Sequence, residues 1–153
     1  MSDHLEFVIA QKKYKLANVE TSNRCSLKCP QCTRAKLAQP KESSQYKEIK
    51  ARLNAGFDLP LNDAQKLLDF FDEGIALCGS LSDPVFWTNL LGFLELANNY
   101  PHKRIEIHTA ASQKDLEWYE DAFSNCHKNV SWIFGLDGMV ETSPKYRIGQ
   151  NSD

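Results

Sequence analysis

The chain has 153 residues, 42% hydrophobic and 25% charged, with a formal net charge of -2 at pH 7; a single domain spanning residues 1–153 can bury roughly two-thirds of the surface it exposes unfolded. The balanced charge excludes the basic surface that nucleic acid or anionic lipid requires, and no stretch reaches the ~20 apolar residues of a membrane span or has the pattern of a secretory leader. The expectation is a cytoplasmic protein with neither nucleic acid nor membrane as partner, in whose reducing compartment clustered cysteines serve metal or redox chemistry rather than disulfides.

In chain order, EFVIA (Glu6 to Ala10) and KLANVET (Lys15 to Thr21) read as strands that pair as a hairpin across Gln11-Lys12. A cysteine-bearing loop follows, and the polar stretch from Ala35 to Ser44 reads as a further loop. SSQYKEIKARLNAG predicts a short helix with Ser43 or Ser44 as N-cap and Gly56 past its end. In LNDAQKLLDFFDEG, Ala64, Leu67, Leu68 and Phe71 stand at i, i+3, i+4 and i+7, which predicts a helix with one buried face, Asn62 as N-cap and Gly74 at the stop. IALCG (Ile75 to Gly79) is a buried strand. DPVFWTNLLGFLELANNYP predicts one helix from Pro84 to just before Pro101, with Phe86, Leu90, Phe93 or Leu94 and Ala97 on its buried face. RIEIHTA (Arg104 to Ala110) alternates as a strand. SQKDLEWYEDAFSNC predicts a helix with Ser112 as N-cap that buries Leu116, Tyr119, Phe123 and Cys126, and VSWIFGL (Val130 to Leu136) is the fourth strand. Strand and helix alternate with short connections, which is the pattern of an α/β fold of parallel βα units forming an open sheet or partial barrel.

In such folds ligands bind outside the carboxyl ends of the strands, where every strand-to-helix loop emerges. The loops expected on that rim are the cysteine loop after strand one, CGSLSDP after strand two, TAAS after strand three and LDG after strand four. The first is the most unusual. NRCSLKCPQCTR spaces Cys25, Cys29 and Cys32 as Cys-x3-Cys-x2-Cys, an odd number for disulfides and one short of a closed zinc tetrahedron. No fourth ligand is near in sequence: the remaining candidates are His4, His102, His108, His127, Cys78 and Cys126, of which Cys78 shares the rim. Zinc stays open as an alternative. A 4Fe-4S cluster fits the donor set better, because three soft thiolates leave one iron with an open position for a substrate or cosubstrate.

The cysteine loop directly after a first strand, in the context NVETSNRCSLKCPQC, resembles the signature of the radical S-adenosylmethionine superfamily. The other rim loops resemble its later motifs in order: CGSLSDP the glycine motif of the second strand, HTAAS a His-Thr-Asn-Gly-Ser pattern of the third, and FGLDG followed by YRIG (Tyr146 to Gly149) the Asp-Gly and Tyr-Arg-x-Gly elements of the fourth. The chain departs from the pattern at Gln31, Ser82 and Ala110-Ala111.

The resemblance implies a partial (β/α) barrel with about four parallel βα units present and the C-terminal units missing. The chain would then be a truncated frame, half of a split enzyme completed by a second chain, or a minimal module. It implies that Cys25, Cys29 and Cys32 ligate a 4Fe-4S cluster and that S-adenosylmethionine chelates the open iron and is cleaved to a 5'-deoxyadenosyl radical by an electron from an external donor. Gly79, Ser80 and Asp83 would lie near its amino group, Ser112 and Asp137 near its ribose or carboxylate, and Arg147 would neutralise the carboxylate. Arg24, Lys28 and Arg34 are placed to tune the cluster, while Glu20 receives no role. The fourth-strand motif leans toward the SPASM-like branch that modifies peptides and proteins. The alternative is a non-catalytic iron-sulfur module, or less favourably a zinc one, without turnover.

Overall fold

The computed structural model describes residues 16–38, 47, 48, 50, 51, 55–112 and 114–150. Four strands, β1 (Leu16–Val19), β2 (Gly74–Leu77), β3 (Arg104–Thr109) and β4 (Val130–Phe134), form one sheet in the order β1-β2-β3-β4 with every neighbouring pair parallel. Parallel neighbours need a crossover, and helices supply each return. After β1 come α1 (Thr33–Ala38) and α2 (Leu61–Phe70), after β2 comes α3 (Leu90–Ala97), after β3 α4 (Leu116–Ser124), and after β4 the single turn α5 (Ser143–Tyr146). The fold is thus α/β with an all-parallel four-stranded sheet. Among the described residues no helix is long and apolar enough to cross a membrane.

Alternation along each strand divides the sheet into two unlike faces. One face carries Val19, Ile75, Leu77, Ile105 and Ile107, which join Ala64 and Leu68 of α2, Leu90, Phe93, Leu94 and Ala97 of α3, and Ala122 of α4 in one hydrophobic core. Fully burying a side chain such as Phe93 stabilises by about 2–3 kcal/mol, so this layer is the main source of stability. The row that points the other way is Asn18, Ala76, Glu106 and Ser131, which pair in register across all four strands.

Several predicted details differ. The loop expected from Ala35 is helical through Ala38, where Lys36 N–H to the Cys32 carbonyl carries the chain into α1, and its residues 39–44 lie outside the described residues. The hairpin strand Glu6 to Ala10 and most of the helix expected between Ser43 and Gly56 lie outside the described residues, although residues 47, 48, 50, 51 and 55 are helical. Helix α2 starts after Pro60, not at an Asn62 cap, because Leu59 is held in an extended pairing by its N–H to the Thr21 carbonyl at 2.8 Å. It stops at Phe70, and Gly74 instead opens β2 with φ +130°.

The single helix expected from Pro84 is broken into a 3-10 turn, Pro84–Phe86, and α3. Trp87 between them is extended, since its indole donates to the Leu59 carbonyl at 2.8 Å while the Phe86 carbonyl accepts from Arg24. Leu90, Phe93, Leu94 and Ala97 are buried as expected, but Val85 and Trp87 are buried in place of Phe86.

Helix α4 is capped by Asp115, which accepts from Trp118 N–H at 2.9 Å, and not by Ser112. The start at Leu116 turns the buried face to Tyr119 and Ala122, leaving Leu116 73% and Phe123 45% exposed.

Gly74 is where the sheet admits no side chain. A Cβ there would sit 1.8 Å from the Arg104 carbonyl oxygen, in a backbone conformation that L side chains rarely adopt. Gly74→Ala is expected to destabilise the chain by on the order of 3 kcal/mol or more, through strain and a forced separation of β2 from β3; chemical denaturation of the two proteins measures it.

Candidate functional site

The chain leaves β1 through a buried segment, Thr21, Ser22 and Asn23, that is fixed before the first cysteine. Ser22 bridges Asp58 and the Asn23 side chain accepts from Phe57 N–H at 3.0 Å. The Arg24 guanidinium reaches both Asp58 oxygens at 2.6 Å and the Phe86 carbonyl at 2.7 Å, and Thr88 donates its hydroxyl to the same carboxylate at 2.8 Å. Burial works to raise the Asp58 pKa, but the Arg24 and Thr88 hydrogen bonds and the Arg24 charge together hold it below the ordinary value. Arg24 is thus a structural clamp facing away from the cluster role the sequence suggested.

Past that clamp, Cys25, Cys29 and Cys32 form an open loop, closed by Cys32 N–H to the Cys29 carbonyl at 3.0 Å, from which α1 departs through Lys36 N–H to the Cys32 carbonyl. All three thiols are free and half-buried. Arg34 donates to the Cys25 carbonyl, and Lys28 N–H to the Ile148 carbonyl at 2.9 Å, which ties the loop to the segment after α5. Burial pushes the Cys25 and Cys29 thiols up; Arg34 opposes this at Cys25 and Arg147 opposes it at Cys29.

The loop after β2 folds back so tightly that a Cβ on Gly79 would lie 2.2 Å from the Ser82 carbonyl. The Glu20 carboxylate, one residue beyond β1, receives Ser80 N–H at 2.8 Å, Leu81 N–H at 3.2 Å and the Ser82 hydroxyl at 2.5 Å. This residue, given no role from sequence, organises the loop. The signal was its position at a strand end, but its direction depended on the pleat. Asp83 then joins three loops. Its N–H donates to the Arg24 carbonyl at 2.9 Å, while its carboxylate, 4% exposed, accepts from the Thr109 hydroxyl at 2.7 Å, Ala110 N–H at 2.9 Å and Val85 N–H at 3.3 Å.

The fourth loop returns through Gly135, whose N–H donates to the Thr109 carbonyl at 2.9 Å. A Cβ on Gly135 would lie 2.7 Å from Arg147 Nη2, so the glycine is the space into which the guanidinium fits. Arg147 is 7% exposed, with Nε on Asp137 at 2.5 Å and Nη1 on the Ala110 carbonyl at 3.3 Å.

These loops surround one cavity of about 270 Å³ at the carboxyl end of the sheet. Of the residues predicted from sequence, Cys25, Cys29, Cys32, Gly79, Ser80, Asp83 and Arg147 line it. Ser112 and Asp137 are not among the lining residues: Ser112 is buried with its hydroxyl 3.2 Å from that of Ser26, and Asp137 braces Arg147. His108, Thr109 and Ile133 also line the cavity; His108 and Thr109 open the HTAAS stretch, yet none of the three was selected as a site residue, because alternation alone does not say which strand side chains reach the rim.

Among the described residues no three His, Cys, Asp or Glu side chains converge on the spacing of a single metal ion. Thiolates around one zinc, each about 2.3 Å away, must lie within about 4 Å of one another, whereas the thiolates of a four-iron cluster bind different irons and stand further apart. Three thiols opening on a shared cavity are compatible with the larger group. No family model matches the chain, and no curated protein matches it in sequence.

Two outcomes follow from the bracing. Asp83→Asn places an amide where Ala110 N–H and the Thr109 hydroxyl need acceptors, and is expected to cost about 1–3 kcal/mol in urea denaturation. The Asp58 contribution is present above the ordinary aspartate pKa and lost as pH falls through the lower folded value. Asp58→Asn should therefore lower the urea midpoint at about pH 7, and the gap to wild type should narrow as pH falls below the ordinary aspartate range and through the lower folded value.

Proposed function

We propose that the chain is a partial (β/α) barrel of the radical S-adenosylmethionine type and an enzyme of that class, holding a 4Fe-4S cluster on Cys25, Cys29 and Cys32 with S-adenosylmethionine beside it. The observation that carries the reading is the shared cavity: three free thiols from the loop after β1, a glycine turn from the loop after β2 and a buried arginine from the end of α5 open on the same space. A sheet with its core on one face and polar residues on the other is also what the wall of a barrel needs. The setting it implies is cytoplasmic, with an external one-electron donor, a peptide or protein substrate, and a second chain as the candidate to complete the barrel.

When bound, the cluster supplies the electron that cleaves S-adenosylmethionine to methionine and a 5'-deoxyadenosyl radical. The residues of this chain bind, orient and shield. The three cysteines must lose their protons to ligate, and since burial raises Cys25 and Cys29, assembly releases protons that the free loop retains. Arg147, held by Asp137 and Ala110, presents a fixed guanidinium for the carboxylate of the cosubstrate, a charge-assisted bond that needs no reorganisation. Asp83 keeps the second and third loops together, so its carboxylate serves the cosubstrate mainly by holding Gly79 and Ser80 in place.

Anaerobic reconstitution with iron and sulfide, followed by dithionite and S-adenosylmethionine, tests the reading. The expected result is a 4Fe-4S spectrum and 5'-deoxyadenosine, both lost in Cys29→Ser. Arg147→Ala should leave the cluster spectrum and weaken S-adenosylmethionine binding by roughly ten- to a hundredfold, the worth of a hydrogen bond between charged groups. A cluster without cleavage would favour a non-catalytic iron-sulfur module; tetrahedral zinc with no cluster would end both readings.

A further inference from the structure

The polar face of the sheet carries a second arrangement at the cavity. On β3, alternation puts Arg104, Glu106 and His108 on the side away from the hydrophobic core. Glu106 is 8% exposed, and both carboxylate oxygens are engaged: Oε1 by the Arg104 guanidinium and Oε2 by His108 Nε2 at 3.2 Å. The His108 hydrogen bond is the main cause of a Glu106 pKa below the ordinary range, with burial opposing it and Arg104 reinforcing it. An ionised carboxylate can only accept, so Nε2 carries the proton, and whenever the ring is neutral its lone pair is on Nδ1. His108 also lines the cavity that Cys25 and Arg147 line.

The neighbouring groups on that face come from every strand beside it. Glu20, beyond β1, is occupied by Ser80, Leu81 and Ser82. Cys78, beyond β2, has its thiol pushed up by burial, then by the charges of Glu20 and Glu106. Ile133 of β4 stands beside His108 in register, and Ser131 beside Glu106, so β4 adds no titratable group to this face.

We propose that Glu106 and His108 form a carboxylate–imidazole base on the sheet side of the cavity, taking a proton from a hydroxyl or ammonium group of the substrate held there. It rests on the reading of the cavity as a reaction site and adds to it a proton-transfer step by residues of the chain. The O–H or N–H bond of the substrate breaks, its electron pair stays on the oxygen or nitrogen, and the proton bonds to Nδ1. The resulting imidazolium is paired with Glu106, and no electron changes hands. His108 is the candidate catalytic residue; Glu106 is a positioning residue that fixes the tautomer. The substrate class is therefore one that brings an alcohol or ammonium group into the cavity, such as a serine, threonine or lysine side chain.

The test is ring ¹H–¹⁵N correlation spectroscopy of the full chain labelled with ¹⁵N-histidine, His108 being assigned by its disappearance in His108→Ala. The expected neutral ring has the proton on Nε2 and a bare Nδ1, and Glu106→Gln loses that preference because an amide can donate as well as accept. In His108→Ala the Glu106 carboxyl, followed by ¹³C, should titrate closer to the ordinary range. Diethyl pyrocarbonate, which acylates an accessible bare imidazole nitrogen, should modify His108 in the wild-type chain. A proton on Nδ1 in wild type, a His108 untouched by the reagent, or a Glu106 titration indifferent to His108→Ala would each overturn the proposal. None of these readouts needs iron or S-adenosylmethionine, so failure of cluster assembly is a separate result that bears on the cavity reading alone.

Discussion

Asp83 is the joint on which the rim depends. A buried carboxylate is costly unless its acceptor capacity is used, and this one is used by three different elements: the 3-10 turn through Val85, the end of β3 through the Thr109 hydroxyl, and the following loop through Ala110 N–H. Its own N–H holds the Arg24 carbonyl immediately before the first cysteine. The cysteine loop, the glycine loop and the third loop therefore cannot shift independently. Arg147 extends the same logic to the fourth loop through the Ala110 carbonyl. A site spread over four loops thereby acquires the rigidity that a cofactor needs from its surroundings.

The division of the sheet into an apolar and a polar face explains why structure and chemistry do not compete for the same residues. Isoleucine, leucine and valine side chains of β1, β2 and β3 meet three helices, and the cluster of Trp118, Tyr119, Phe123, Trp132 and Phe134 continues that layer under α4 with ring centroids 5.1–6.5 Å apart. The opposite face has Glu106 at its centre, a residue that in a core-facing position would be intolerable without partners. Charged residues along β3 mark that face as one built for something other than packing. β4, at the edge of the four-stranded sheet, leaves Ile133 and Phe134 about 40% exposed at 39% and 42%.

Much of the architecture was legible in the residues. Alternation, a short apolar run for β2 and period-3.6 patterns gave the four described strands, α2 and α4, and α3 within a longer expected helix, because burying a face imposes such patterns on any sequence that forms these elements. The order of rim loops followed from the topology of parallel crossovers, and seven of the residues selected on them do line one cavity. What misled was local. Ser112 looked like a helix cap, yet its hydroxyl is turned to Ser26, and Asp115 caps instead. Gly74 looked like a helix stop and is a strand opening pressed against Arg104. The unbroken periodicity after Pro84 hid a break that only Leu59 and Arg24, far away in sequence, impose by engaging the Trp87 indole and the Phe86 carbonyl.

By itself, the sequence determined which loops could carry chemistry and which residue types stood in them, since spacing and hydrophobic period are properties of the chain alone. The tertiary structure decided the rest. Glu20 could have faced the helices or the rim, Asp83 could have been a ligand group or a brace, Glu106 was one polar letter in an alternating strand, and His108 opened a motif that assigned it no role. Glu20 and Asp83 were settled by hydrogen bonds between residues distant in sequence, 62 positions apart for Glu20 and Ser82 and 26 for Asp83 and Thr109, whereas Glu106 and His108 bond to each other two positions apart and owe their setting to the strands paired on either side. Such bonds form only after the strands have paired in register, and no local pattern encodes which partner will be within reach.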